Sequence, residues 1–292
     1  MWALIVCYFP EVDKLQKLIS AIQSGVDRIV ILDNGGVEDK YFLDLSLDGK
    51  ILIEKMPGNV GLGMAFNHGF KLASDAGIDY VLTFDQDSSP TSEYPKEILN
   101  EYYRIKELDS STAAVGPTII DDRNPSVVYT FSKKYPDTCC DIKIDAVSVL
   151  VMVQSGMIIP VKTWEQICKF DDHLFIEFVD TDWCYRVNYS GFSIYGTRKV
   201  SMRHEISDKE PFRLFGFYLL DYSPIRRYYF FRNVVYLLTK NYVPTKHKLR
   251  LITGMINRFL AIVFLDKHKG RAFFEMLRGL WHGIVRFNRT SD

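Results

Sequence analysis

Residues 83–90 read Thr-Phe-Asp-Gln-Asp-Ser-Ser-Pro, so that Asp85 and Asp87 close an apolar run with no cationic residue beside them. Two carboxylates about 4 Å apart repel by roughly 4 kcal/mol at an effective dielectric of about 20. A turn that gathers both calls for a hard divalent cation with oxygen ligands, Mg2+ or Mn2+, above all one that also holds phosphates. Two solvated loop aspartates are the alternative, and a D-x-D pair alone does not choose. A second acidic stretch, "FIEFVDTDWCYR" at 175–186, sets Glu177, Asp180 and Asp182 beside Trp183. If a helix begins near 179, Asp180 and Asp182 point apart, leaving one of them to deprotonate an alcohol. Capping of that helix is the competing use. His204, behind a strand pattern, could complete an oxygen–nitrogen metal set or be an ordinary structural histidine.

Two further stretches offer polar groups at the ends of apolar runs. Asp33, followed by Asn-Gly-Gly, could accept hydrogen bonds from a nucleobase or form an Asx turn. Asn59-Val-Gly-Leu-Gly, with Gly61 and then Asn67 on the following helix, offers helix N-terminal amides to an anion, although it is neither a P-loop nor a G-x-G-x-x-G motif.

The elements that would position these residues alternate. Strand patterns at 3–8, 28–33, 50–54, 80–84 and 113–117 are interleaved with helical patterns at 14–24, 64–76 and 92–108. Such alternation predicts a parallel sheet covered on both faces, with ligands beyond the carboxyl ends of its strands. Longer strands are expected over 142–153 and 193–197, and helices over 161–170 and 179–189. After about 211 the chain reads as three helices, 224–241, 245–265 and 269–287. In the last, Arg271, Glu275, Arg278, His282, Arg286 and Arg289 oppose Phe273, Leu277, Leu280, Trp281 and Ile284, an amphipathic helix with a basic face.

The 292 residues, 47% hydrophobic and formally neutral, exclude a disordered chain. Neutrality hides an asymmetry: residues 1–210 hold 21 Lys/Arg against 32 Asp/Glu, and residues 211–292 hold 15 against 4. The basic, aromatic tail points to an anionic partner, a membrane surface or a nucleic acid. Five cysteines, Cys7, Cys139, Cys140, Cys168 and Cys184, show no metal-ligand spacing, which suits a reducing, cytosolic compartment. The first residues read as a strand and not as a signal peptide. The longest charge-free stretch, 146–161, is shorter than the ~20 apolar residues of a spanning helix.

Taken together, "ALIVCYFP", "VILDNGG", "NVGLGMAFNHGF", "YVLTFDQDSSP", "SGMIIP", "FDDHLFIEFVDTDWCYR" and the later His204 resemble family 2 glycosyltransferases. "FDQDS" and "VDTDWC" look most like their bacterial rhamnosyltransferase branch, and "SPIRRYYFFRNVVYLL" resembles that branch more loosely. The resemblance implies an α/β GT-A fold over 1–210, with a nucleotide-sugar-binding half (1–120), an acceptor-binding half (121–210) and a basic helical region (211–292). It implies a nucleoside diphosphate sugar donor, dTDP- or UDP-linked, with Mg2+ or Mn2+. Asp33 would bind the pyrimidine base, Asp85 the ribose or the metal shell, and Asp87 the metal, with His204 as a further ligand. Tyr8, Pro10, Asn59, Gly61 and Asn67 would line the donor site. Asp180 would be the catalytic base, with Glu177, Asp182 and Trp183 on the acceptor side. Two residues depart from the commoner pattern: Val179, where many members have Glu, and Gly36, where Ser is commoner.

The reaction so implied is inverting transfer of a sugar, with L-rhamnose from dTDP-rhamnose first, to a glycan or lipid-linked glycan in bacterial cell-envelope synthesis. Galactofuranose, glucose or galactose from a UDP-sugar are the alternatives. The tail would lie on the cytoplasmic face of the plasma membrane, or be an interdomain or dimer-contacting subdomain, and homo-oligomerisation stays open. Two rivals are weaker. A sugar nucleotidyltransferase would need a glycine-rich, basic first turn, where this chain has Phe9-Pro10-Glu11-Val12-Asp13. A nucleic-acid-binding module sits badly with 210 net acidic residues.

Overall fold

The structure is a computed structural model that describes residues 1–38, 49–121, 128–129, 132–133, 145–204, 212–214, 217–219, 223–266 and 269–287. Strand β1 (Trp2–Cys7) is apolar throughout and almost wholly buried, as a strand covered on both faces must be. It pairs in parallel with β2 (Arg28–Asp33) on one side and β4 (Tyr80–Asp85) on the other, while β3 (Ile51–Lys55) extends the sheet beyond β2. Helices α1 (Val12–Ile22), α2 (Leu62–Asp75) and α3 (Tyr94–Leu108) supply the crossovers. Helix α2 can lie close to the sheet because position 69 lacks a side chain: a Cβ there would come within 2.7 Å of Leu4 Cδ1 and 2.9 Å of Leu32 Cδ1. Each fully buried Leu, Ile or Phe in this layer contributes about 1.5–3 kcal/mol by leaving water.

Beyond β4 the parallel sheet that the alternation predicts becomes mixed, as the resemblance to a GT-A fold, a Rossmann-like mixed sheet flanked by helices, implies. The order is β3-β2-β1-β4-β9-β5-β10-β8-β7, with β6 (Val128–Tyr129) on β5. Here β5 is Thr112–Asp121, β7 Ser132–Lys133, β8 Ala146–Val151, β9 Met157–Pro160 and β10 Ser193–His204. Strand β9 inserts antiparallel to β4, and β8 is antiparallel to β10. A turn at 154–156 splits the run read as one strand over 142–153 from β9, and Gly156 adopts φ +79° within it. Strand β10 runs on to His204, past the expected end at 197, because a register shift between Gly196 and Ser201 restarts its pairing with β5. Helix α4 (Val161–Gln166) is shorter than expected, and α5 spans Val179–Tyr189.

The chain divides into two compact units. The sheet unit comprises Met1–His173 and Val179–Glu205, and the second comprises Leu174–Phe178 with the chain from Ile206 on. The second unit contains a small hairpin, β11 (Phe212–Leu214) with β12 (Phe217–Leu219), and helices α6 (Pro224–Thr239), α7 (Thr245–Leu265) and α8 (Lys269–Phe287). Gly279 and Gly283 bring α8 against α6, since a Cβ at 279 would lie 2.4 Å from Tyr228 O and one at 283 would lie 2.7 Å from Val235 Cβ. Among the described residues, no helix is long and apolar enough to cross a membrane. Cys139, Cys140 and Arg289 lie outside the described residues, as does the side chain of Arg286.

Candidate active site

The strand order 3-2-1-4 contains a reversal. The chain winds outward from β1 to β3, then crosses back so that β4 lies on the other side of β1. Crevices of open α/β sheets form at such a point, beyond the carboxyl ends of the strands. Three carboxylates or their neighbours stand there. Register pairs Cys7 of β1 with Asp33 and Val6 with Asp85, so that Asp33 and Asp85 flank the end of β1. Gln86 closes the gap: its Oε1 accepts from Tyr8 N at 2.8 Å and its Nε2 donates to Tyr8 O at 3.3 Å.

On the β2 side, Asp33 Oδ1 accepts from Gly35 N (2.8 Å) and Val37 N (3.3 Å), the Asx turn that Asn-Gly-Gly allows. Asn34 then reaches the start of α2, donating to Gly61 O (3.2 Å) and accepting from Val60 N (3.4 Å). Asn59 Oδ1 accepts from Gly61 N (3.1 Å), and Gly61 holds φ +86° as the residue before the helix. Tyr8 and Phe9 stand exposed beyond β1, 51% and 69%, as an edge-to-face pair at 4.9 Å. Phe9 adopts φ +46° and donates its N–H to Gly35 O (2.7 Å). Two exposed aromatic rings beside a carboxylate form a surface suited to a planar heterocycle.

On the β4 side, Asp85 and Asp87 share a turn in which Ser88 N donates to Asp85 O (3.1 Å). A polar pedestal from the β8–β9 turn supports it. Ser155 Oγ accepts from Asp85 N (3.3 Å) and lies 2.6 Å from Ser88 Oγ, while Gln154 Nε2 donates to Asp85 Oδ1 (2.6 Å). Gln154 Oε1 is buried and has no hydrogen-bond partner among the described residues. Such an orphan acceptor costs about 1–3 kcal/mol and marks a site that lacks one of its polar components. Ser89 N donates to Arg203 O (3.0 Å), which brings the end of β10 to the turn. The backbone of His204 therefore lies next to the Asp87 turn, while its side chain falls outside the described residues.

Asp180 sits in the first turn of α5, half-buried, with Oδ1 accepting from Thr181 N (2.6 Å). The start of α5 abuts the start of α2: a Cβ on Gly63 would lie 2.8 Å from Asp171 O and 3.5 Å from Val179 Cγ1. Asn34, Gly61, Gly63 and Val179 thus link the Asp33 turn to the helix that carries Asp180. Just before it, Phe175, Glu177 and Phe178 have φ of +64°, +58° and +67°. For bulky residues each costs of order 1–3 kcal/mol unless neighbours enforce it.

Several of the expected residues have other partners in the structure. Asn67 does not face the donor site. Its Nδ2 donates to Phe170 O (2.9 Å) and Asp172 Oδ1 (2.6 Å), and its Oδ1 accepts from Trp164 Nε1 (2.8 Å) and Phe170 N (3.0 Å), so its hydrogen-bonding capacity is spent inside the sheet unit. Asp182 is wholly buried and bonds Arg186 Nε at 2.7 Å; Trp183 is buried, donating to Cys168 O. Neither presents an acceptor surface. Glu177 belongs to the second unit, where Arg226 Nε donates to it at 2.8 Å. Pro10 is half-buried just past the Tyr8–Phe9 pair. Burial raises the thiols of Cys7 and Cys184 far above their ordinary range and pushes Cys168 up to about 11, so these cysteines are poor nucleophiles. A cleft of about 610 Å³ between Tyr80, Tyr102, Lys162 and Phe192 lies at the opposite ends of the strands and holds none of these groups.

Residues 3–129 match the family model "Glycosyl transferase family 2". The chain is 28% identical to the dTDP-rhamnosyl transferase RfbF of Shigella flexneri over 285 residues, 92% of this chain and 90% of that one. Over these residues the chain is similar to glycosyl transferase family 2. The sheet is of GT-A type, like that of S. aureus TarS in complex with UDP-GlcNAc (TM-score 0.55, 13% identity, 99% of this chain and 83% of that one). GalNAc-T7, solved with UDP, GalNAc and Mn2+, is similar over 87% of this chain but only 54% of its own (TM-score 0.57, 12% identity). Phe9 and Gln86, at strand ends within "ALIVCYFP" and "YVLTFDQDSSP", and Ser155, which opens "SGMIIP", join the candidate site, together with Gln154, which no quoted motif contains.

Proposed function

We propose that the enzyme moves L-rhamnose from dTDP-rhamnose to a hydroxyl of a glycan or lipid-linked glycan, with inversion at the anomeric carbon. The reading is supported by Asp33 and Asp85 flanking the end of β1 at the switch point of the sheet, with the start of α5 packed on the start of α2. The choice of donor rests on the similarity to RfbF along nearly the whole of both chains.

Tyr8 and Phe9 would flank the pyrimidine while Asp33 accepts its N–H, and Asp85 would take the ribose or the metal shell. Among the described residues no three His, Cys, Asp or Glu side chains are gathered as a metal site, and support for a divalent cation comes from the chemistry of the acidic turn. Asp85 and Asp87 are hard oxygen ligands on one turn, the orphan Gln154 Oε1 adjoins Asp85, and the backbone of His204 is brought beside them. Asp85, Asp87 and His204 would hold Mg2+ or Mn2+, which when bound neutralises charge on the departing diphosphate. Asp180 takes the acceptor proton as the hydroxyl oxygen bonds to the anomeric carbon; the bond to diphosphate breaks and its electron pair leaves with the diphosphate. Inversion needs this one carboxylate and no second as nucleophile. A donor-hydrolysis screen with Mn2+ tests the reading: dTDP-rhamnose should be cleaved fastest, and preference for UDP-linked galactofuranose, glucose or galactose would replace rhamnose.

The second unit would rest on an anionic membrane surface, where a lipid-linked acceptor is found. Leu249, Ile252, Ile256, Phe259 and Val263 form one exposed stripe along α7, and Phe274, Leu277, Trp281 and Ile284 form another on α8. Exposed apolar stripes in a segment with 15 basic and 4 acidic residues suit anionic lipid headgroups. Full-length protein should float with vesicles containing phosphatidylglycerol, and replacing Phe274 and Trp281 by Ser should abolish flotation without lowering transfer to a soluble acceptor. Flotation equal in the two proteins would remove the membrane from the reading.

A further inference from the structure

The five residues Leu174–Phe178 lie in sequence immediately before α5, yet they belong to the second unit. Within that unit they are bound by α6. Asn233, with no solvent exposure, donates its Nδ2 hydrogens to three carbonyls: Leu174 O at 2.9 Å, Ile176 O at 2.7 Å and Glu177 O at 2.9 Å. Arg232, also buried, donates Nη2 to Leu174 O (2.9 Å) and Nε to Asn233 Oδ1 (2.8 Å). Because arginine only donates, that last contact fixes the orientation of the Asn233 amide, oxygen toward Arg232 and nitrogen toward the strap. Side chains repeat the grip. Glu177 is met by Arg226 at 2.8 Å and Arg258 at 3.8 Å, Phe175 stacks on Tyr229 (4.7 Å, 10°), and Phe178 packs on Phe230 (5.1 Å).

This concentration of partners coincides with the three positive-φ residues Phe175, Glu177 and Phe178. Around Phe175, Ile176 N donates to Leu174 O (2.8 Å), a γ-turn of the rare positive-φ kind. A local sequence without glycine does not adopt such a backbone unaided; it persists where surrounding structure over-determines it. The strap ends one residue before the helix that opens on Val179-Asp180.

We propose that Asn233 and Arg232 are positioning residues for sugar transfer, holding the strap 174–178 in the backbone that delivers Asp180. The inference rests on the assignment of Asp180 as base. Neither side chain touches substrate; their effect passes through the strap.

The test is steady-state kinetics of full-length Asn233→Ala at saturating dTDP-rhamnose and Mn2+, beside calorimetric donor binding. Misplacing a reacting group by about 1 Å costs on the order of 100-fold in rate, so kcat should fall by about 10- to 100-fold, with donor affinity within about twofold of wild type. An unchanged kcat overturns the inference. So does a parallel loss of kcat and donor affinity, the mark of a merely structural role. If Asn233→Ala does not fold, Glu177→Gln, which leaves the backbone hydrogen bonds in place, is read by the same split and should lower kcat by a smaller factor. Asp180→Asn assayed alongside separates the two ideas: transfer retained there sinks the base assignment, whereas transfer lost there with Asn233→Ala at full kcat sinks only this one.

Discussion

Asp180→Asn should abolish sugar transfer while metal-dependent donor binding stays measurable. Asparagine has the shape of aspartate and keeps an oxygen for the hydrogen bond from Thr181 N at 2.6 Å, so the first turn of α5 has no reason to move. What it loses is the ability to accept a proton. General-base catalysis contributes about 10²- to 10⁴-fold, equivalent to about 3–5 kcal/mol at 1.36 kcal/mol per decade, and with no second carboxylate in this role in the proposed mechanism no other group takes over. The donor is expected to bind through Tyr8, Phe9, Asp33, Asp85 and Asp87, none of them altered. Calorimetry with dTDP or UDP and Mn2+ should therefore give wild-type affinity, and product formation should fall below about 1% of wild type, as the loss of a general base requires. Transfer above about a tenth of wild type, less than one decade lost, would show that another group takes the proton.

What could be read in the chain beforehand was whatever local periodicity encodes. The strand ends bearing Asp33 and Asp85 follow from apolar runs and turn residues, and their convergence follows from the handedness and layering of α/β sheets. The resemblance put Asp182 on the acceptor side, and the structure buries it completely. The Arg186 four positions on, with which it pairs inside the protein at 2.7 Å, was the signal to weigh. Asn67 sits among apolar residues of an amphipathic helix, and nothing local tells a core amide from one that faces a ligand.

The groups that stabilise the site were not legible for a different reason. Gln154 meets Asp85 from 69 residues away and Asn233 meets Leu174 from 59. The first contact exists only because β9 enters antiparallel beside β4, and the second only because a strap of the sheet unit's sequence packs with the C-terminal helices. Neither depends on a pattern of period 2 or 3.6. The positive φ at Phe9, Phe175, Glu177 and Phe178 is likewise imposed from outside, since glycine would be the local choice.

Asp87→Ala should uncouple nucleotide binding from the metal. A carboxylate about 4 Å from a unit charge is worth roughly 4 kcal/mol at an effective dielectric of about 20, and screening and desolvation reduce that to an expected loss of about 10²-fold in Mn2+-dependent affinity for dTDP. Wild type should bind the nucleotide far more tightly in Mn2+ than in EDTA. The variant should bind it equally in both, at the wild-type EDTA level, because Tyr8, Phe9 and Asp33 still hold the base. Asp85→Asn should behave differently. An amide there can still accept from Gln154 Nε2, but it loses the carboxylate charge and an acceptor for the ribose hydroxyls, so nucleotide affinity should drop even in EDTA. The contrast distinguishes a metal ligand from a residue that also contacts the nucleoside. If Asp87→Ala kept its Mn2+ stimulation, the acidic turn after β4 would have another purpose and the cation would have to be held elsewhere.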